Sequence, residues 1–430
     1  MCQVNYIHSM AKYKVKDGVG VIPEGTKKIK DSAFEDCENL NSIIIPDSVT
    51  EIGESAFEGC TSLAEITIPD SVKEIGGRAF SRCTGLTSIT IPNSVTKIGY
   101  YAFWGCTGLK SISIPDSVTE IGNDAFMDCS NLQTIYIGKS VKKINGHAFY
   151  GCSSIKSVTV ANENSIYDSR EDCNAIIERR ENFMQTKEYY ELVIGFNCST
   201  IPDSVSVIGH SAFQARKELT SIVIPNSVTE IESWAFTDCT GLTNIVIPDS
   251  ITHISEGVFS GCIGLTEITI PDSVKSIDDS AFARCSGLTS IIIPDSVTEI
   301  EDGNGCHYYF QEWDNEGAFE RCTGLTNVEL SKSLFRIGSY TFAGCTGLGK
   351  IVIPNSVKVI GEGAFRDCTG LTSITFLDSV NEIGDDAFKD CTNLKAINVP
   401  SGKTDYFKNL LPKSLHDKIV ELPPVKKAKK

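Results

Sequence analysis

LTSITIPNSVTKIGYYAFWGCTG, Leu86 to Gly108, recurs with small changes along most of the chain. Its opening segment, Leu86-Thr-Ser-Ile89-Thr-Ile91, alternates in its last positions as a half-buried strand does, which turns Ile89 and Ile91 inward. Pro92 has no N–H to give a ladder and ends the strand, and Asn93-Ser94 supply turn chemistry through their side-chain oxygens. Val95 and Ile98 re-enter the core, and Gly99 turns the chain again. Ala102-Phe103 with Cys106 are expected on a helical or 3₁₀ turn, and Gly108 leads into the next strand.

Aligning the chain on its Ala-Phe positions places Phe34, Phe57, Phe80, Phe103, Phe126 and Phe149 at intervals of 23 residues. The register resumes at Phe213, Phe236, Phe259 and Phe282, then at Phe319, Phe342, Phe365 and Phe388, after interruptions of 18 and 14 residues. A period of this length signifies a solenoid. One such coil has no second layer against which to bury its apolar side, so it must stack on its neighbours. The expected fold is α/β to mainly β: right-handed stacked 23-residue coils with a parallel β-sheet on one face. Some fifteen coils at about 4.8 Å per strand would give a curved body about 70 Å long. The chain divides accordingly into a lead-in (1–19), repeats (20–161), an irregular insertion (162–201), repeats (202–301), an aromatic-acidic insertion (302–317), repeats (318–400), and a C-terminal helical cap with a Lys-rich tail (401–430).

Composition narrows the function classes. The 430 residues are 41% hydrophobic and 22% charged, with no apolar run near the roughly 18 needed to cross a bilayer. A net charge of −16 argues against general affinity for nucleic acid or anionic lipid. The start, MCQVNYIHSMAKYKVKDG, shows no secretory signal peptide, and Met10 offers a second plausible start. The 17 cysteines form an odd set without metal or redox spacing, which points to a reducing compartment.

Thirteen of fourteen units carry Cys three residues after Phe, Arg216 being the exception. Stacking makes these cysteines neighbours of one another. Parallel side-chain vectors miss disulfide geometry, so the ladder reads as buried, inert thiols serving as small apolar residues. Chains of disulfides or a metal ladder are the other readings.

The recurring pattern, seen at Ile66-Thr-Ile-Pro-Asp-Ser-Val72 through Ala79-Phe80 and Cys83, closely resembles the BspA-type leucine-rich repeat. The resemblance covers nearly the whole chain and implies a leucine-rich repeat solenoid. That family includes bacterial surface proteins implicated in adhesion to host matrix proteins and in protein interaction, so the resemblance points to the cell surface where the missing signal peptide points to the cytoplasm. The segment SGKTDYFKNLLPKSLHDKIVEL looks like the helical ending of related repeat proteins, with Tyr406, Phe407, Leu410 and Leu411 at helical spacing to cover the last coil.

Three places are candidates for recognition. Outward sheet positions are mostly small, uncharged and β-branched, with Ile44, Tyr136, Val223, Val246, Ile292 and Val352 as the larger apolar members and Val223, Val246 and Ile292 as the apolar centre; strand propensity alone accounts for many such residues. The first insertion, around Asn162 to Thr200, has two apolar runs, Ala175 to Ile177 and Leu192 to Ile194, and reads as a hairpin-like excursion. Its Arg179, Arg180, Tyr189 and Tyr190 are contact candidates. The second insertion concentrates His307, Tyr308, Tyr309, Phe310 and Trp313, and exposed aromatics are favoured anchors.

Catalytic signals are missing. The six histidines, His8, His147, His210, His253, His307 and His416, make no ligand spacing, and no nucleophile elbow, P-loop or dinucleotide fingerprint appears. Turn aspartates such as Asp47, Asp70, Asp116, Asp249, Asp272 and Asp295 alternate with Asn93, Asn226 and Asn355, which fits interchangeable turn formers better than calcium ligands. The sequence thus reads as a non-enzymatic monomer without cofactor or metal that binds another protein, with adhesion to a host or matrix protein as one role. The alternative is an intracellular scaffold or a passive structural element.

Overall fold

Backbone hydrogen bonds on three sides tie the coil Leu86 to Gly108 to its neighbours in a computed structural model describing residues 13–181, 188–302, 316–378 and 380–424. On the first side Ser88–Thr90 pairs in parallel with Glu65–Thr67. On the second, Lys97–Ile98 lies between Glu74–Ile75 and Glu120–Ile121, again in parallel. On the third, the N–H groups of Tyr101, Phe103 and Gly105 donate to the carbonyls of Asn123, Ala125 and Met127 in the next coil, at 2.7–2.9 Å.

This third side corrects the expected helical or 3₁₀ turn. Among the described residues no Ala-Phe segment is helical. Alternate N–H groups are committed to the neighbouring coil, and only those between them close tight turns, as Cys106 does on Phe103 at 3.2 Å. The geometry puts two residues per coil in the left-handed region, here Tyr101 (φ 52°) and Gly105 (φ 67°). Side-chain-bearing residues pay a conformational cost there, which the inter-coil hydrogen bonds offset.

Inward positions fall as expected: Ile89, Ile91, Val95, Ile98, Ala102, Phe103 and Cys106 are all buried. Ser94 Oγ donates to the Val72 carbonyl at 2.6 Å, so the serine ties coils together as well as turning the chain. Among the described residues the chain makes about 17 turns about 23 residues apart, against the fifteen expected. Segments outside the repeat pattern contribute strands of their own, among them Val19–Val21 and Ile419–Glu421, each paired in parallel with a repeat strand.

The chain forms two compact units: Met1–Tyr190 with Ile194–Thr200, and Glu191–Val193 with Ile201–Lys430. In the first, rings Phe34 through Phe149 stack at 5.1–5.3 Å and within 10° of parallel. Phe196 then meets Phe149 edge-on at 6.5 Å. The first insertion pairs Tyr167–Asp168 antiparallel with Ile176–Glu181, and its Ala175, Ile176 and Ile177 are buried.

In the second unit a comparable stack runs from Phe213 to Phe388. Phe282 and Phe319 are 37 positions apart in sequence, yet their rings stack at 5.1 Å and 4°, so the Phe stack is continuous across this break in the repeat. The C-terminal segment forms a helix, Thr404–Leu410, then a 3₁₀ turn and the strand Ile419–Glu421, which pairs in parallel with Ala396–Val399. Phe407 and Leu411 are buried, whereas Tyr406 is exposed and bonds the Val380 carbonyl through its hydroxyl at 2.7 Å. The ending therefore covers the last coil with two of the four expected residues and with an added strand.

Candidate protein-binding face

The outward row of the second unit exposes several aliphatic side chains. Val223 and Val246 stand side by side in the parallel register of Ser221–Val223 with Asn244–Val246, 81% and 67% exposed. Ile292, 60% exposed, continues the row two coils on from Val246, with exposed Thr269 between them. A groove of about 890 Å³ opens here, with Val246 and Ile292 in its lining and Asp249, Glu267, Asp272, Asp295 and Glu329 around it. Lys332 is its one basic lining residue. Both its backbone N–H (2.8 Å) and its ammonium (3.4 Å) reach Asp295. The bond from that N–H, reinforced by the ammonium charge, holds the Asp295 carboxyl below its usual range.

A change of residue type at one repeat position accompanies the groove. In most coils a glycine follows the second-ladder isoleucine, and the reason is contact: a Cβ on Gly99 would lie 2.5 Å from the Gly77 nitrogen, and one on Gly122 2.6 Å from the Gly99 carbonyl carbon. Four consecutive coils of the second unit carry Glu232, Ser255, Asp278 and Glu301 at that position instead. Each puts a side chain where coils elsewhere nearly touch. In these coils the Phe236 and Phe259 rings are 5.8 Å apart, and Glu267 to Thr269 on the sheet side takes no strand assignment. The groove is centred on the same stretch.

The substitutions also gather charge. His253 bonds Ser276 Oγ at 2.6 Å and Asp278 at 2.7 Å, and the bond to Asp278 raises its pKa. Burial, together with the Glu256, Asp278 and Glu301 carboxylates, raises Asp279 to about 7. Among the described residues no group of acidic, His and Cys side chains is arranged to hold a metal ion.

The remaining candidates fall out differently. Tyr136 is exposed beside a smaller depression in the first unit, of about 310 Å³. Arg179 bonds the Ser165 carbonyl at 2.8 Å, Arg180 pairs with Glu178 at 3.2 Å, and Arg170 lies 3.6 Å over the Tyr190 ring; these groups act within the insertion. Tyr308, Tyr309, Phe310 and Trp313, with His307, lie outside the described residues. The segment that carries them is tied at both ends, by Arg336 pairing with Asp302 and by Arg284 Nε donating to Glu316 at 2.8 Å.

The ladder cysteines are free thiols, and all of them except half-buried Cys37 are buried. Cys106 Sγ donates to the Phe80 carbonyl at 3.1 Å, a contact repeated along both units. Burial pushes Cys83, Cys239, Cys285 and Cys345 up to about 12. A thiol there supplies both a small apolar body and a weak donor, and it is a poor nucleophile.

Parallel ladders stacked at a 23-residue period over a Phe and Cys core define a leucine-rich repeat solenoid. The sequence profile described as "BspA type Leucine rich repeat region" matches residues 20–92, 74–173, 185–310 and 315–415, and the chain belongs to that family. A leucine-rich cell surface protein of Faecalibacterium prausnitzii is 34% identical, with a TM-score of 0.53 over 71% of this chain and 83% of its own. Leucine-rich repeat proteins of Eubacterium ventriosum (25% identity, TM-score 0.64, 82% and 91% covered) and Bacteroides ovatus (25%, 0.51, 98% and 99%) are also similar. Among curated proteins none matches. No helix among the described residues is long and apolar enough to cross a membrane.

Proposed function

We propose that the chain is a non-enzymatic protein-binding solenoid, and that the sheet face of its second unit is the principal contact surface. The observation that carries this reading is the row Val223, Val246 and Ile292, each at least 60% exposed. Aliphatic side chains held in a rigid ladder cost little entropy to desolvate, and contiguous exposed apolar area marks interaction sites. Cell-surface adhesion to a host or matrix protein is the physiological role we assign; the Faecalibacterium prausnitzii relative, described as a cell surface protein, supports it. Tyr308, Tyr309, Phe310 and Trp313 are proposed as a second contact region, and Tyr136 as a minor one.

Binding of the chain to a panel of immobilised extracellular matrix proteins tests this. A Val223→Asp, Val246→Asp, Ile292→Asp variant should lose a bound partner by about tenfold or more while keeping its circular dichroism and melting temperature. A companion variant with the four insertion aromatics changed to Ala should lose less. Binding by the parent that neither variant alters would overturn the assignment to these surfaces, and binding to nothing in the panel would favour a passive structural role.

A further inference from the structure

Five carboxylates ring the groove over the apolar row, and only one is matched. Asp295 is held by Lys332. Among the described residues no ion pair or side-chain hydrogen bond engages Asp249, Glu267, Asp272 or Glu329, whereas the less exposed Asp278 and the buried Glu316 have partners. The smaller depression of the first unit differs. Its one carboxylate, Asp116, pairs with the Lys139 ammonium at 3.6 Å and accepts the Lys139 N–H at 3.0 Å. Turn chemistry explains an acid at the turn position, since Asp and Asn are interchangeable there. It does not explain Glu267 and Glu329, which lie on the strand side, nor the lack of compensating lysines.

We infer that this groove receives a cationic peptide segment of a partner protein, one that places aliphatic side chains over Val246 and Ile292 and lysine or arginine side chains against Asp249, Glu267, Asp272 and Glu329. The inference rests on the sheet-face reading and adds the chemistry of the partner. Four like charges around one depression repel one another and raise its affinity for cations. The exposed aliphatic floor contributes the desolvation that a purely ionic contact in water lacks. Glu232, Ser255, Asp278 and Glu301, which replace the usual glycine, belong to the same coils, so the groove coincides with a local departure from the repeat.

The probe is a labelled seven-residue peptide alternating lysine with valine, titrated into the full chain by fluorescence anisotropy beside twins in which serine or glutamate replaces lysine. The lysine peptide should bind, weaken as salt rises from 50 to 300 mM, and lose between about ten- and a hundredfold in affinity on Asp249→Asn, Glu267→Gln, Asp272→Asn, Glu329→Gln, a surface change that leaves the core intact. Val246→Ser with Ile292→Ser should weaken it independently. Equal binding of the serine twin, still lost in the valine and isoleucine variant, would overturn the cationic partner and leave the sheet face standing. Failure of all three peptides would overturn the inference, while matrix-protein binding abolished by the Asp-substituted row would still uphold the face. If sedimentation shows self-association that removal of residues 425–430 undoes, the occupant is the Lys-rich tail of a second copy, and the foreign partner is refuted.

Discussion

Asp279→Asn should stabilise the protein in a pH-dependent way. The carboxyl is half-buried and faces Glu256, Asp278 and Glu301; burial comes first and these charges second in raising it from 3.8 to about 7. A folded-state value above the unfolded one means that the folded chain holds the proton more tightly. The side chain therefore costs nothing below about pH 4, costs progressively more as pH rises through the interval, and reaches its full cost above about pH 7. About three pH units at 1.36 kcal/mol each would give about 4 kcal/mol for a fully buried group, and solvent screening reduces this to about 1–2 kcal/mol here. Asparagine keeps the shape and removes the charge. For a unit of this size that corresponds to a gain of about 2–8 °C in melting temperature at pH 8, and to about a third of that at pH 5. Thermal melts of the parent and variant at both pH values measure it. An equal gain at pH 5 and pH 8, or none at pH 8, would refute the electrostatic account.

Other outcomes follow from the same contacts. Gly76→Ala places a Cβ 2.7 Å from the Gly53 carbonyl carbon and should cost about 1–3 kcal/mol, whereas Gly146→Ala, with nothing within 4 Å, should be neutral or slightly stabilising; chemical denaturation of the pair separates coil contact from glycine flexibility. His253→Asn should cost more at pH 5.5 than at pH 9: the raised histidine contributes below 6.5, and its contribution fades as pH passes its folded value. Maleimide labelling of the native chain, mapped by mass spectrometry, should modify exposed Cys198 and half-buried Cys37 well before any buried ladder cysteine.

The coil itself was legible because its signals are local and repeated. Proline at 92 ends the strand, isoleucines at 89 and 91 alternate, and Phe103 and Cys106 mark the core. The second ladder was legible only as apolar residues: Lys97–Ile98 is two residues long, too short to show alternation. The third side was misread as helical because neither composition nor spacing reveals that Tyr101, Phe103 and Gly105 donate across coils. The side chains at Glu232, Ser255, Asp278 and Glu301 were visible as letters, and the missing signal was the 2.5 Å that a Cβ on Gly99 would leave. His253, set aside for lack of motif spacing, meets Asp278 because residues 25 apart become neighbours when coils stack. Tyr136 shares a repeat position with Val223 and Val246, yet it belongs to the other unit, and the register alone does not carry that information.

A periodic surface presents nearly the same chemistry at every coil, so a partner meeting only consensus residues would bind in many registers with similar energy. Selectivity must then come from departures from the pattern. In the second unit three departures fall together: exposed valines and isoleucine in place of Thr or Ser, carboxylates without a cation, and side chains at stacking positions held elsewhere by glycine. The last has a cost, since Asp279 and its neighbours crowd like charges. The sign of the Asp279→Asn effect therefore bears on function as well as stability. If neutralising that crowd stabilises the fold while tightening the coils, the groove should narrow and the lysine peptide should bind more weakly, although Asp279 itself does not line the groove. Anisotropy titration of this variant measures it, and unchanged affinity in a more stable protein would show that stacking and groove are independent.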